Sequence, residues 1–106
     1  MISTIYMGPL YGTMRRNRDW LIKRGGLSQK DASRLVIQQY KGMIQDAVDG
    51  ADENGEILDE LVSDQTRGGL NEQALGNLNQ LGAVEAYDQV MDAILSRIKG
   101  NSDGFL

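Results

Sequence analysis

Apolar residues between positions 28 and 50 recur at intervals of three and four, the spacing that lines one side of an α-helix. Ser28 is placed to cap the start of this helix, and Asp31 stands in its first turn. Gly50 is placed to end the helix in a left-handed conformation. The apolar stripe covers about half of the helix circumference and should be buried. Its members are Ala32, Leu35, Val36, Tyr40, Met43, Ile44, Ala47 and Val48.

A short basic helix is predicted just before this central helix, over residues 14–24. Thr13 can cap its start, and the glycine pair at positions 25 and 26 can stop it. Its apolar side is thin, and short helices gain most of their stability from packing. This helix therefore depends on the element against which it packs.

Residues 1–12 are rich in apolar side chains but are interrupted by Gly8 and Pro9. Because proline disfavours helical geometry in the residue before it, the pattern predicts an extended arm or a short strand. An arm this apolar should be covered. Two interpretations remain open: it packs across its own helices, or it docks on a neighbouring subunit.

Two further helical regions follow the central helix. A helix over 56–66 should lie antiparallel to the helix over 29–49, because the turn between them is short. The apolar spacing over 71–99 fits one kinked helix or two helices, and we favour a break or kink at Gly82, since glycine weakens a helix interior. The last six residues, 101–106, form either a frayed tail or a tethered anchor.

Together these segments predict an all-α fold, a small bundle of three to five helices with an extended N-terminal arm. Alternating runs of β-branched and aromatic residues, which are typical of strands, do not occur in this sequence. A chain of 106 residues suits one domain. We therefore divide it into an arm over 1–12, a single helical domain over 13–100 and a tail over 101–106.

The sequence contains neither cysteine nor histidine. This excludes disulfides, Ser-His and Cys-His nucleophile pairs and nearly all zinc sites. No glycine-rich phosphate loop is present either, because neither Gly-Gly pair is followed by Lys-Ser or Lys-Thr. We expect a non-catalytic protein with no catalytic residue, no cofactor and no metal.

The acidic turn after the central helix resembles part of a calcium-binding EF-hand loop. Asp52, Asn54 and Gly55 would occupy its third, fifth and sixth positions. The first and twelfth positions, however, would be Gly50 and Leu61, so two principal oxygen ligands are missing. A solvated turn is the better interpretation.

Neither a signal peptide nor an apolar run of about 20 residues, the length that spans a membrane, can be recognised in the sequence. We therefore expect no membrane contact and a cytoplasmic location. For a viral protein this would mean the host cytoplasm or the virion.

Charge is distributed unevenly along the chain. Residues 1–45 carry eight basic and two acidic side chains, a net charge of +6. Residues 46–106 carry three basic and thirteen acidic side chains, a net charge of −10. The two halves could therefore attract each other between copies of the chain.

This asymmetry and the apolar termini favour a protein–protein interaction or assembly protein that forms a homo-oligomer or a larger assembly. Small size without cysteine or histidine is also common among bacteriophage proteins, so a phage virion component is one expectation. The candidate partner-binding residues come from the arm, the basic helix and the acidic helix. They are Tyr6, Leu10, Tyr11, Arg15, Arg16, Arg18, Trp20, Lys23, Arg24, Glu56, Asp59 and Glu60.

Two alternative functions use parts of this set. A small nucleic-acid-binding protein would hold phosphates with the basic N-terminal helix and stack Trp20 on a base. It is less favoured, because the acidic half repels phosphates. A phage-type inhibitor of a host nucleic-acid-handling complex would instead present Glu56, Asp59 and Glu60 to a basic groove.

Overall fold

The computed structural model describes residues 5–106, and in this range it contains five α-helices and no strand. The all-α fold with three to five helices is confirmed. The helices are α1 (Met7–Gly25), α2 (Gln29–Gly50), α3 (Ile57–Ser63), α4 (Leu70–Gln80) and α5 (Ala83–Ile98).

The first helix corrects the expected N-terminal arm and the expected cap at Thr13. α1 begins at Met7, so residues 7–12 are helical, while residues 1–4 of the expected arm lie outside the described range. Pro9 falls in the first turn, where the backbone N–H groups have no partner within the helix, so its missing N–H costs nothing. Gly8 has no Cβ to clash with the proline ring. Thr13 lies inside α1, and its hydroxyl donates a hydrogen bond to the Pro9 carbonyl at 2.8 Å.

A three-residue turn joins α1 to α2. Gly26 adopts a left-handed conformation at φ 72°, and the Leu27 N–H donates to the Leu21 carbonyl at 3.3 Å, which closes the C-terminus of α1. Ser28 caps α2 as predicted, since its hydroxyl accepts the Asp31 N–H at 3.1 Å. The two helices pack against each other as a hairpin.

The core of this hairpin is small. Ala32 and Val36 of α2 are 0% and 3% exposed, and they are the only buried residues among residues 5–106. The rest of the predicted α2 stripe is not buried: Met43, Ile44 and Val48 are exposed. A stripe half a circumference wide needs more than one neighbouring helix to cover it, and within the described residues of the first unit α1 alone packs extensively on α2.

The predicted antiparallel packing of α3 on α2 is also wrong. α3 has only seven residues and makes no extended contact with α2, and its Leu58 and Val62 remain exposed. The left-handed conformation expected at Gly50 is not adopted either, because Gly50 ends α2 with Ala51 in an extended conformation after it.

A second hairpin is formed by α4 and α5, which pack against each other. The predicted break is confirmed at Gly82, which adopts φ 83° between the two helices. In the tail, the Ser102 hydroxyl donates to the Ser96 hydroxyl at 2.9 Å, which ties the chain to the last turns of α5. Phe105 and Leu106 remain exposed.

Contacts along the chain divide it into two units, one ending at Val62 and the other running from Ser63 to Leu106. The first contains α1, α2 and α3, and the second contains α4 and α5. The single helical domain expected over 13–100 stays a prediction.

Candidate interaction surfaces

The apolar N-terminal candidates lie at the start of α1. Leu10 and Tyr11 lie within α1, and Tyr6 stands just ahead of its first turn. All three side chains are exposed. This end of α1 therefore presents apolar surface that the hairpin does not cover.

A groove runs along one side of the α1–α2 seam. Arg15 and Arg18 contribute from α1, and the Arg18 guanidinium forms an ion pair with Asp19 at 2.7 Å. The floor includes Val36, one of the two buried residues. The complete lining is Tyr11, Met14, Arg15, Arg18, Ser33, Val36 and Ile37.

Four other candidates form what we call the basic surface: Arg16, Trp20, Lys23 and Arg24. Trp20 is four residues after Arg16, three before Lys23 and four before Arg24, so all four side chains share one side of α1. Each of them is exposed. The edge of this surface meets a second groove at the seam, where Trp20 lies beside Tyr40.

The five cations of α1 therefore do not all lie on one side of the helix. Arg15 and Arg18 line the groove on one side of the seam, whereas Arg16, Lys23 and Arg24 surround Trp20. A nucleic-acid site that uses all five on one face does not fit this helix. A smaller surface centred on Trp20 does fit it.

The acidic candidates lie at the start of α3. Glu56 immediately precedes the helix, and Asp59 and Glu60 occupy its first turn. All three are exposed. Carboxylates in a first turn interact favourably with the exposed backbone N–H groups of the helix, which accounts for their position without any ligand.

The acidic turn before α3 is organised by one of its own carboxylates. Asp52 Oδ1 accepts the N–H groups of Asn54 and Gly55, both at 3.1 Å, and Gly55 adopts a positive φ of 70°. Within residues 5–106, no group of three or more metal-ligating side chains comes together. The arrangement is that of a solvent-exposed turn.

The sequence candidates missed further apolar surface on α2 and α5. Ile37, Ile44 and Val48 form an exposed row on α2 at spacings of seven and four. On α5, Val84 and Ile98 near the two ends of the helix are exposed, whereas Met91 and Ile94 between them are partly buried. The width of these apolar stripes in the sequence could have indicated this exposed surface, since a single packing partner cannot cover stripes so wide.

No helix of the described residues has the length and apolarity needed to cross a membrane. Comparisons of the chain with protein-family models, with characterised proteins and with solved structures give no match. The proposals below therefore rest on the chain's own surfaces.

Proposed function

We propose that this chain is a non-catalytic assembly protein that completes its hydrophobic core against another protein chain, first of all a second copy of itself. The observation that carries the proposal is the shortage of buried residues. The α1–α2 hairpin buries Ala32 and Val36, and no residue of the α4–α5 hairpin is buried in the described chain.

Helices of this length need tertiary packing to be stable in water, because nucleating a helix is costly and propagation gains little. Proteins that remain monomeric rarely leave broad apolar faces uncovered. On α2 the exposed row of Ile37, Ile44 and Val48 lies within the helix that also supplies the core. A second chain on this row would extend the same core outward.

Charge supports a copy of the same chain as the partner. α1 carries five basic residues and one acidic residue, whereas all charged residues between Lys41 and Arg67 are acidic. Opposite charges between two copies steer association and disfavour wrong partners. The bacteriophage virion remains one predicted setting for such an assembly, and inhibition of a host complex remains the alternative.

The test is the molar mass measured by light scattering during size exclusion, over a range of protein concentrations, for the full chain and the variant Ile44→Glu. We expect the full chain to be oligomeric and the variant to lose mass, because a charge on the α2 row opposes its burial. Gln38→Glu adds the same charge at an exposed polar position of the same helix and should leave the mass unchanged.

A monomeric mass at every concentration would refute self-assembly. Equal masses for the two variants would instead remove the α2 row from the interface. The free energy of unfolding of Ile44→Glu gives a second readout. If Ile44 contacts no other chain, this free energy should change little, because an exposed apolar side chain can be replaced by a polar one at little cost.

A further inference from the structure

The basic surface of α1 combines an exposed aromatic side chain with unpaired cations. Trp20 is 61% exposed, and the three cations of this surface lie one helical turn away from it on the same side of α1. The ion pair described within residues 5–106 joins Arg18 to Asp19 and involves none of these three. Their charges are therefore available to a ligand. They are Arg16, Lys23 and Arg24.

A groove of about 220 Å³ lies beside Trp20, at the seam between α1 and α2. Trp20 and Tyr40 supply aromatic surface to it, and Asn17 and Gln39 supply side-chain amides. The Asn17 amide donates to the Tyr40 hydroxyl at 2.8 Å, which leaves the Asn17 carbonyl oxygen as an acceptor and the Tyr40 O–H as a donor. Gln39 makes no side-chain hydrogen bond within the described chain. The remaining lining residues are Leu21 and Val36.

The groove and the cations together match the parts of a nucleotide. A base has a flat face that stacks on tryptophan and a polar edge that amide side chains can bind. Arginine and lysine hold phosphates. Along α1, Arg16 and Arg24 each lie about 6 Å from Trp20, in opposite directions, at 1.5 Å per helical residue. A base stacked on Trp20 would therefore have a cation near the phosphate on either side of it.

The carboxylates of the hairpin are too distant or already engaged to cancel this attraction. Asp19 is held by Arg18 at 2.7 Å. On α2, the carboxylates that come first on either side of Gln39 are Asp31 and Asp46, about 12 Å and 10 Å away along the helix. The Debye length at physiological salt is about 8 Å. Repulsion from these two carboxylates is therefore largely screened at the groove.

We propose that the basic surface and the groove beside it bind single-stranded nucleic acid, with one base stacked on Trp20. A duplex fits less well, because its bases are stacked on one another and do not offer a flat face to Trp20. An acidic peptide would pair with the cations, but its carboxylates provide no flat ring for the aromatic groove. The ligand that satisfies both features is an unpaired nucleotide chain.

This site goes beyond the proposed assembly function and does not depend on it. Ile37, in the exposed row of α2, is two residues before Gln39, so the two side chains lie on nearly opposite sides of that helix. A bound strand would leave the row uncovered. Nucleic-acid binding and self-association can therefore be measured separately.

Trp20 is the only tryptophan of the chain, so its fluorescence reports on the site. Titration of the full chain at low salt with a short oligothymidylate, and separately with an oligouridylate, should quench its emission as a base stacks on the ring. A stronger response to one of the two would support the site and identify its ligand as DNA or RNA. As salt is raised, the logarithm of the association constant should fall against the logarithm of the salt concentration with a slope of about −2, because each of three neutralised phosphates contributes about −0.7.

Substitutions at the ring and the amide test the stacked base, with fluorescence anisotropy of a labelled oligonucleotide as the readout. Trp20→Ala should raise the dissociation constant by about tenfold or more, and Trp20→Phe, which keeps an aromatic ring, should recover most of the affinity. Gln39→Ala should raise it by about threefold and leave the salt slope unchanged, because this side chain is uncharged.

Removal of the cations tests the phosphate contacts. R16Q/K23Q/R24Q should weaken binding and bring the salt slope close to zero. The matched control K30Q/R34Q/K41Q removes the same three charges from exposed positions of α2 on the side away from Gln39, and its slope should stay near −2. Circular dichroism of all variants should match that of the full chain, because every substituted side chain is exposed.

Four outcomes would overturn the site. They are the absence of binding to either oligonucleotide at low salt, binding without a change in Trp20 emission, and equal losses of affinity for the two triple variants. The fourth is displacement of the oligonucleotide by polyglutamate at an equal concentration of charge, which would assign the basic surface to an acidic protein. None of these results would change the molar mass of the chain, so self-assembly stands or falls on the mass measurement alone.

Discussion

The α1–α2 and α4–α5 hairpins have the same design and different interiors. Each turns on a glycine in a left-handed conformation, Gly26 at φ 72° and Gly82 at φ 83°. Only the first encloses buried side chains, Ala32 and Val36. The comparison shows that a glycine turn is enough to reverse the chain and pair two helices. A buried core needs additional protein surface that covers the contact between those helices.

The largest expected loss of stability comes from a substitution among the buried residues that distinguish the first hairpin. Val36→Asp should destabilise it by about 3 kcal/mol or more, because the carboxylate would be buried without a partner. Gln38→Asp is the matched control, since this side chain of α2 is exposed and lies outside the apolar row. In the second hairpin, Ile94→Asp should cost less than Val36→Asp, because Ile94 is only partly buried. Urea unfolding followed by circular dichroism at one protein concentration measures all three.

Equal losses for Val36→Asp and Gln38→Asp would contradict the difference in burial between the two positions. They would mean that the side of α2 that bears Gln38 is covered under the conditions of the experiment. A parallel mass measurement identifies that case, because such a cover requires an associated chain.

The sequence predicted those features of each hairpin that depend on interactions between residues close together in the chain. Ser28, Gly26 and Gly82 act on backbone groups within a few residues, and the helix boundaries predicted at them are confirmed. The extended arm was wrong for residues 7–12, because the rule for residues preceding proline was applied to Gly8, where the absent Cβ weakens it, and because Pro9 falls in a first turn. Both of these reasons concern residues that are adjacent in the sequence.

Burial was predicted poorly because it depends on contacts distant in sequence. The periodicity of α2 marks which residues share a side, but it contains no information on how many helices will cover that side. Ile44 and Val48 are exposed for this reason. The sequence predicted the candidate residues as one set. The structure divides the residues of α1 between a groove at the seam and a separate basic surface, because they lie at different positions around this helix.

A smaller effect tests the feature that the two hairpins share. Gly26→Ala should destabilise the first hairpin by about 1 kcal/mol, because a residue with a Cβ is strained in the left-handed region. Gly82→Ala should cost the second hairpin a similar amount for the same reason. Gly25→Ala is the control: its new Cβ would lie 3.8 Å from Leu21 Cδ2, an ordinary contact, and alanine favours the helix. Thermal unfolding of the three variants should place Gly25→Ala at or above the parent chain.

A loss at Gly26 without a loss at Gly82 would separate the two turns. The second hairpin would then not depend on its turn geometry, and the common design inferred from the two left-handed glycines would fail. A loss at Gly25 comparable to that at Gly26 would instead show that the end of α1 has no room for a methyl group, contrary to the ordinary contact with Leu21 that the structure predicts there.

The smallest effect concerns a polar contact across the first seam. The Asn17 side-chain amide donates to the Tyr40 hydroxyl at 2.8 Å, joining α1 to α2 at an exposed position. A double-mutant cycle with Asn17→Ala and Tyr40→Phe should give a coupling free energy of at most about 0.5 kcal/mol, because water replaces either partner when the bond is lost. Urea unfolding of the four chains supplies it. A coupling above about 1 kcal/mol would mean that this bond is shielded from water, and the first hairpin would then owe part of its closure to a polar contact in addition to Ala32 and Val36.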